Sequence, residues 1–126
     1  VLGMSREDVR NYLYGRIADV LANNDIGYIK WDHNRVLPVV DAAQAEGVYA
    51  LLGRLRTDFP HVEIESCSSG GGRIDFGILE RTQRVWLSDS NDALERQRIQ
   101  HDAALWASLR AGEGMPVLSV QGAGLN

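Results

Sequence analysis

Ile26-Gly27-Tyr28-Ile29-Lys30-Trp31-Asp32-His33-Asn34-Arg35 is the stretch on which the fold of this 126-residue chain turns. Ile26 to Trp31 reads as a short strand that ends at Asp32, where the polar residues begin. Upstream, Val9, Leu13, Ile17, Val20 and Leu21 recur at helical spacing, and Asn23-Asn24 break the run. Ser5 followed by Asp8 resembles a capping box, with Glu7 and Asp8 favouring a helix N-terminus. The step is therefore helix to strand.

The same step repeats downstream. Past a loop at Pro38, a second helix places Val48, Leu51, Leu52, Leu55 and Phe59 on one face, and Pro60 stops it. Val62 and Ile64 open a strand that runs into Cys67 and the glycine-rich stretch from Ser68 to Gly72. A helical turn from Asp75 to Glu80 and a third strand from Arg84 to Ser88 follow. Asp92 is placed to cap a helix from Ala93 to about Leu109, with Leu94, Ile99, Ala103 and Trp106 as its apolar positions. Gly112 and Gly114 end that helix, and Pro116 to Val120 begins another strand. Strands that alternate with helices, with no hairpin signal, imply parallel pairing through right-handed crossovers. The class is α/β, and a doubly wound sheet and a (β/α)8 barrel both fit the periodicity.

Composition narrows the partners. The chain is 44% apolar with only three prolines, as expected of a folded domain. A net charge of -4, spread along the sequence, argues against nucleic acid or an anionic membrane. No apolar run approaches a membrane span, and no signal-peptide pattern opens the chain. The first residue is Val1 and not methionine, so the expectation is a partial reading frame. Cys67 is the only cysteine, which excludes an intrachain disulfide and a thiolate zinc site. His33, His61 and His101 show no ligand spacing, and no metal is expected.

Polar residues gather at predicted strand ends: Asp32, Cys67 and Asp89 each end one. In both competing folds the active site opens at that edge of the sheet. Any one aspartate there would ordinarily cap a turn or helix, but three reactive groups on three successive strand ends point to one pocket. Residues two apart in a strand face the same way, so Lys30 and Asp32 share a face. An ammonium there would keep Asp32 ionised, as a carboxylate nucleophile requires, although a plain Lys-Asp pair reads equally well.

In Glu65-Ser66-Cys67-Ser68-Ser69-Gly70-Gly71-Gly72-Arg73 the three glycines let backbone N–H groups approach a phosphate or a sugar hydroxyl. It is not a Walker A loop, because no Gly-Lys-Ser/Thr follows. Cys67 has no identifiable base and is disfavoured as a catalytic thiol. If Cys67 faces inward, alternation sends Glu65 and Glu63 inward too, which requires either a bulge or a polar role for Glu65. In Val85-Trp86-Leu87-Ser88-Asp89-Ser90-Asn91-Asp92 the natural division makes Asp89 the chemical residue and Asp92 the cap. Two carboxylates facing across a pocket, roughly 5 Å apart, is the retaining glycosidase arrangement.

Three runs carry a resemblance. IKWDHNR resembles the nucleophile motif of the α-galactosidases of glycoside hydrolase family 36. ESCSSGGGRID resembles their substrate-binding loop, and WLSDSNDALERQRIQ resembles their acid/base segment. All three occur in family order, and SREDVRNYL is similar to the helix before the nucleophile strand. The resemblance covers about residues 1 to 105.

It implies that residues 1–106 form the central part of a (β/α)8 barrel, roughly strands 4 to 6 or 7 with their helices. It also implies that 107–126 is a divergent or frayed tail. By resemblance Asp32 is the nucleophile that forms a β-galactosyl-enzyme. Asp89 is the acid that protonates the departing oxygen and then the base for water. Lys30, Cys67 and the backbone of Gly70 contact the sugar, and no cofactor is implied. The partner is a galactosyl oligosaccharide of the melibiose or raffinose type, and the parent is a homo-oligomer with the cytoplasm favoured.

This sequence departs from the family at Ser90-Asn91, where Asn-Thr is usual, and at His33, where an apolar residue is common. After Trp106 the similarity fades into RAGEGMPVLSVQGAGLN. A barrel needs roughly 250 residues, so the chain is expected to be a piece of a larger enzyme and inactive alone. Within the same clan, an α-N-acetylgalactosaminidase or a raffinose-type galactosyltransferase would keep both carboxylates. A non-catalytic carbohydrate-binding fragment and a phosphate-binding α/β domain are the readings from other classes.

Overall fold

A computed structural model of the chain describes residues 2–34, 41–108 and 117–119. The elements run α1 (Glu7–Asn23), β1 (Tyr28–Asp32), α2 (Ala42–Asp58), β2 (Glu63–Cys67), α3 (Phe76–Leu79), β3 (Arg84–Trp86), α4 (Ala93–Ser108) and β4 (Val117–Ser119). The alternation expected from the periodicity is present. The loop at Pro38 and the stop at Gly112 and Gly114 lie outside the described residues, as does most of the expected tail. The chain divides into two compact units, Val1–Ile29 with Arg35–Glu63, and Lys30–Asn34 with Ile64–Asn126.

The first unit holds α1 and α2. The capping box expected at Ser5 does not form. Arg6 takes the N-cap position in extended conformation with no side-chain cap, and the Asp8 carboxylate instead accepts from the Arg6 guanidinium at 3.1 and 2.6 Å. Glu7 and Asp8 still favour the start of α1 through the helix dipole. At its end Asn24 turns extended, and its amide donates to the Val20 carbonyl at 2.8 Å, satisfying an acceptor of the last turn. Leu21 is buried, whereas Val20 lies at the margin of the apolar stripe and is half exposed.

Helix α2 begins where Asp41 accepts from the Ala43 N–H at 2.9 Å. It ends at Asp58, with Phe59 as the C-cap before Pro60, and buries Leu51, Leu52 and Leu55 as the spacing requires. Gly47 lets α2 lie against the backbone of Met4, since a Cβ there would collide with the Met4 carbonyl. Gln44 secures the contact, accepting from the Met4 N–H at 2.6 Å and donating to the Leu2 carbonyl at 2.9 Å.

The second unit contains most of the sheet, whose order is β1-β2-β3-β4 with no reversal. Strands β2 and β3 pair in parallel with Glu65 beside Arg84, and β3 and β4 pair in parallel with Val85 beside Leu118. The His33 N–H donates to the Cys67 carbonyl at 3.1 Å just past the ends of β1 and β2. Gln83 extends the β2–β3 ladder: its side chain accepts from the Ile64 N–H at 2.9 Å and its N–H donates to the Ile64 carbonyl at 3.0 Å. Asp75 caps α3 through the Ile78 N–H at 2.9 Å.

Asp92 caps α4 as expected, accepting from Leu94 N–H at 3.0 Å and Glu95 N–H at 2.8 Å. Ile99 and Ala103 are half-buried, but Leu94 is 71% exposed. Five helical residues turn about 140°, so Leu94 points away from the face shared by Ile99 and Ala103. The third strand is shorter than expected and ends at Trp86, which leaves Asp89 in the following loop and not at the strand end. Its neighbours in register, Val117–Ser119, pair only with Arg84–Trp86, so the ladder stops there.

Candidate active site

Strand pleating builds the site. Exposure alternates along β1, with Lys30 and Asp32 on its open side. The period of two assigns Glu65 and Cys67 to one face of β2, and Arg84 and Trp86 to one face of β3. Contacts join these three sets on a common face, while Ile64, Ser66 and Val85 are buried on the other.

Asp32 is held by several donors. Desolvation pushes its pKa up. Against that act the Asn34 amide, which donates at 3.0 Å, the Cys67 thiol, the Lys30 charge and the His33 N–H. Together they keep the carboxyl below the ordinary carboxylate range, so Asp32 is an anion at neutral pH. Lys30 therefore acts as expected, but behind the two hydrogen bonds and not as the leading cause. Burial pushes the Cys67 thiol up, and the Asp32 carboxylate that accepts from it reinforces the shift against the Gly70 N–H and the Lys30 charge. Cys67 is thus a neutral donor, which agrees with its being disfavoured as a nucleophile. Replacing Asn34 with alanine is expected to raise the titration midpoint of Asp32, read from the carboxyl shift in carbon-13 NMR; an unmoved midpoint would contradict this account.

Lys30 has a different principal partner from the one its spacing suggested. Its Nζ stands 4.0 Å from Oε1 of Glu65, whose side chain is 4% exposed, and 3.6 Å from the centroid of the Trp86 ring. The Trp86 indole Nε1 donates to Oδ1 of Asp89 at 2.6 Å. Asp89 is consequently brought back toward the sheet by a side chain from the strand it follows. Glu65 takes the polar role that its inward position demanded, because a buried carboxylate is costly without a cation or donors.

The glycine loop packs by backbone. Gly70 adopts φ +80, and a Cβ on it would stand 2.8 Å from Cα of Ser88, directly before Asp89. No other residue allows both the left-handed turn and that approach. Ser69 precedes it at φ 47, held by its N–H donating to Oδ1 of Asn34 at 2.7 Å. The Asn34 amide therefore ties Asp32 to the glycine loop. Arg73 donates to the Ser66 hydroxyl at 3.5 Å and to the Cys67 carbonyl at 3.4 Å.

Of the residues singled out in the sequence, Asp32 and Cys67 each shift the other's titration, and Lys30 reaches Asp89 through Trp86. Gly70 lies against the backbone before Asp89. Among the described residues no group of three or more His, Cys, Asp or Glu is placed to hold a metal ion. Sequence reasoning missed Trp86 and Asn34. The period of two from Arg84 would have put Trp86 on the Lys30 face, whereas nothing in the pattern marks Asn34.

Known proteins share this chain's pattern. The melibiase family pattern matches residues 1–113. An α-galactosidase of Escherichia coli is 48% identical over 107 residues, covering 79% of this chain and 15% of the relative. A probable α-galactosidase G of Emericella nidulans is 43% identical over 110 residues, covering 83% of this chain and 15% of the relative. Among solved structures, the GH36 α-galactosidase AgaA of Geobacillus stearothermophilus superposes with a TM-score of 0.76 at 37% identity, over 83% of this chain and 16% of that one. A variant of AgaA in complex with stachyose superposes with a TM-score of 0.77 at 31% identity, over 99% of this chain and 19% of that one. The chain spans about 15% of the length of the curated relatives it matches.

Proposed function

Because this chain belongs to the melibiase family, glycoside hydrolase family 36, we propose that it supplies both catalytic carboxylates of a retaining α-galactosidase. The observation that carries the reading is the contrast between its two aspartates. Asp32 is held ionised by Asn34, Cys67 and Lys30, whereas Asp89, in the loop after β3, has one carboxylate oxygen engaged by the Trp86 indole.

In this reading the Asp32 carboxylate attacks the anomeric carbon of a terminal α-galactosyl residue. The glycosidic C–O bond breaks as Asp89 gives its proton to the leaving oxygen, and a β-galactosyl-enzyme forms. Water then adds from the face the leaving group vacated, giving its proton to Asp89 as the bond from the anomeric carbon to Asp32 breaks, which frees the Asp32 carboxylate and restores the α configuration. Lys30, Cys67 and the Gly70 backbone contact the sugar. The substrates proposed are galactosyl oligosaccharides, in keeping with the AgaA variants in complex with raffinose and stachyose.

We place β1, β2 and β3 as strands four to six of a (β/α)8 barrel and β4 as the seventh, which the unreversed strand order supports. Residues 1–106 would be the barrel part. The complete enzyme is proposed to be a homo-oligomer, and the chain by itself to be inactive, because a closed barrel needs about twice its length.

The test is the anomer of galactose first released from an aryl α-galactoside by the complete enzyme, followed by proton NMR. α-Galactose first, mutarotating later, is the expected result. β-Galactose first would mean inversion, and no release would remove the α-galactosidase reading altogether.

A further inference from the structure

We infer that Glu65 is a positioning residue: its buried carboxylate anchors the Lys30 ammonium on the Trp86 ring, and so sets the indole that holds Asp89. This role rests on the α-galactosidase reading and deepens it.

The contacts are continuous. Glu65 Oε1 lies 4.0 Å from Lys30 Nζ, which lies 3.6 Å from the Trp86 ring centroid, and Trp86 Nε1 lies 2.6 Å from Asp89 Oδ1. The carboxylate is 4% exposed and the lysine side chain 34% exposed, so the anion is the fixed member and the cation the adaptable one. A lysine stem is flexible, and a cation over an aromatic face gains only modestly, so the ring alone is a weak tether. A buried anion beside it restricts the ammonium to one place.

Arg84 stands beside Glu65 in the β2–β3 register, on the face that Trp86 shares by alternation. That face thus carries two cations, Lys30 and Arg84, beside the buried Glu65. Neutralising Glu65 removes the anion beside the Lys30 ammonium, and the partly exposed Lys30 is then able to swing toward solvent. Trp86 then loses the charge over its ring, and the indole N–H that fixes Asp89 is released to turn.

The experiment is a double-mutant cycle in the complete enzyme, with an aryl α-galactoside as substrate. Glu65→Gln preserves shape and removes charge; kcat/KM is expected to fall by about 10- to 100-fold, as for misplacement of reacting groups by about an ångström. In a Lys30→Met background the same substitution is expected to cost less than about two-fold, because the interaction it removes is already gone. Equal losses in both backgrounds would mean that Glu65 serves stability alone and would overturn the inference.

Should Glu65→Gln fail to fold, Glu65→Asp decides. It keeps the charge but shortens an arm already at its reach, so a loss of at least about three-fold is expected with Lys30 present and none in the Lys30→Met background. Full activity of Glu65→Asp, or the same loss in both backgrounds, overturns the proposal. A wild-type enzyme that ignores α-galactosides overturns the α-galactosidase reading itself, whereas an active wild type with an indifferent Glu65 overturns only this inference.

Discussion

Asp32→Ala in the complete enzyme is expected to lose hydrolysis of an aryl α-galactoside by about ten-thousand-fold or more, the scale seen when a nucleophile is removed. Azide is expected to restore part of that activity. The missing carboxylate leaves space on the β face of the sugar, and azide can enter there. It forms the bond to the anomeric carbon as the aryloxide leaves with the electron pair of the C–O bond. The product is therefore a β-galactosyl azide, inverted from the substrate. The ionised state of Asp32, maintained by Asn34, Cys67 and Lys30, explains why a small anion should replace it. Full activity of the variant, or a failure of azide to give the β product in a folded enzyme, would remove Asp32 from the nucleophile's role.

Asp89→Ala is expected to show the opposite stereochemistry and a loss that depends on the leaving group. Removing a general acid costs about 10²- to 10⁴-fold where the departing oxygen needs a proton, as in an oligosaccharide. A dinitrophenyl group leaves without that help, so formation of the galactosyl-enzyme should proceed nearly as in the wild type. The second step then lacks its base and becomes slow. Azide needs no base, and attack on the β-galactosyl-enzyme gives an α-galactosyl azide. Opposite anomers from the two variants would separate the roles of Asp32 and Asp89 in one pair of spectra. A uniform loss on good and poor leaving groups alike would mean that Asp89 is structural, held by Trp86 for the sake of the loop.

The lysine illustrates where reading by pattern stops. Spacing made Asp32 the natural partner of Lys30, because residues two apart share a face. Along a strand, however, two residues span about 6.6 Å, while adjacent strands lie only about 4.7–4.9 Å apart. The nearer anion is therefore across the sheet, and Lys30 pairs with Glu65 at 4.0 Å. The same alternation left two alternatives, a bulge or a polar role for Glu65, and did not show which cation would meet it. Asp89 illustrates the other limit. The length of a short strand depends on its neighbours, and β3 stops at Trp86 because its ladder with β4 does.

By itself the amino-acid sequence determined the alternation of helices and strands, through periods of 3.6 and two. It also determined the start of α4 at Asp92, through a short side chain that accepts backbone N–H groups. The segments proposed to carry the chemistry were marked by polar residues that collect near the ends of strands. Only the tertiary structure decided the electrostatic coupling of Cys67 to Asp32, the path from Glu65 through Lys30 and Trp86 to Asp89, and the packing of Gly70 against Ser88. Most of these contacts join residues far apart in the chain, and their geometry follows from strand register and loop closure, which no local pattern of residues encodes.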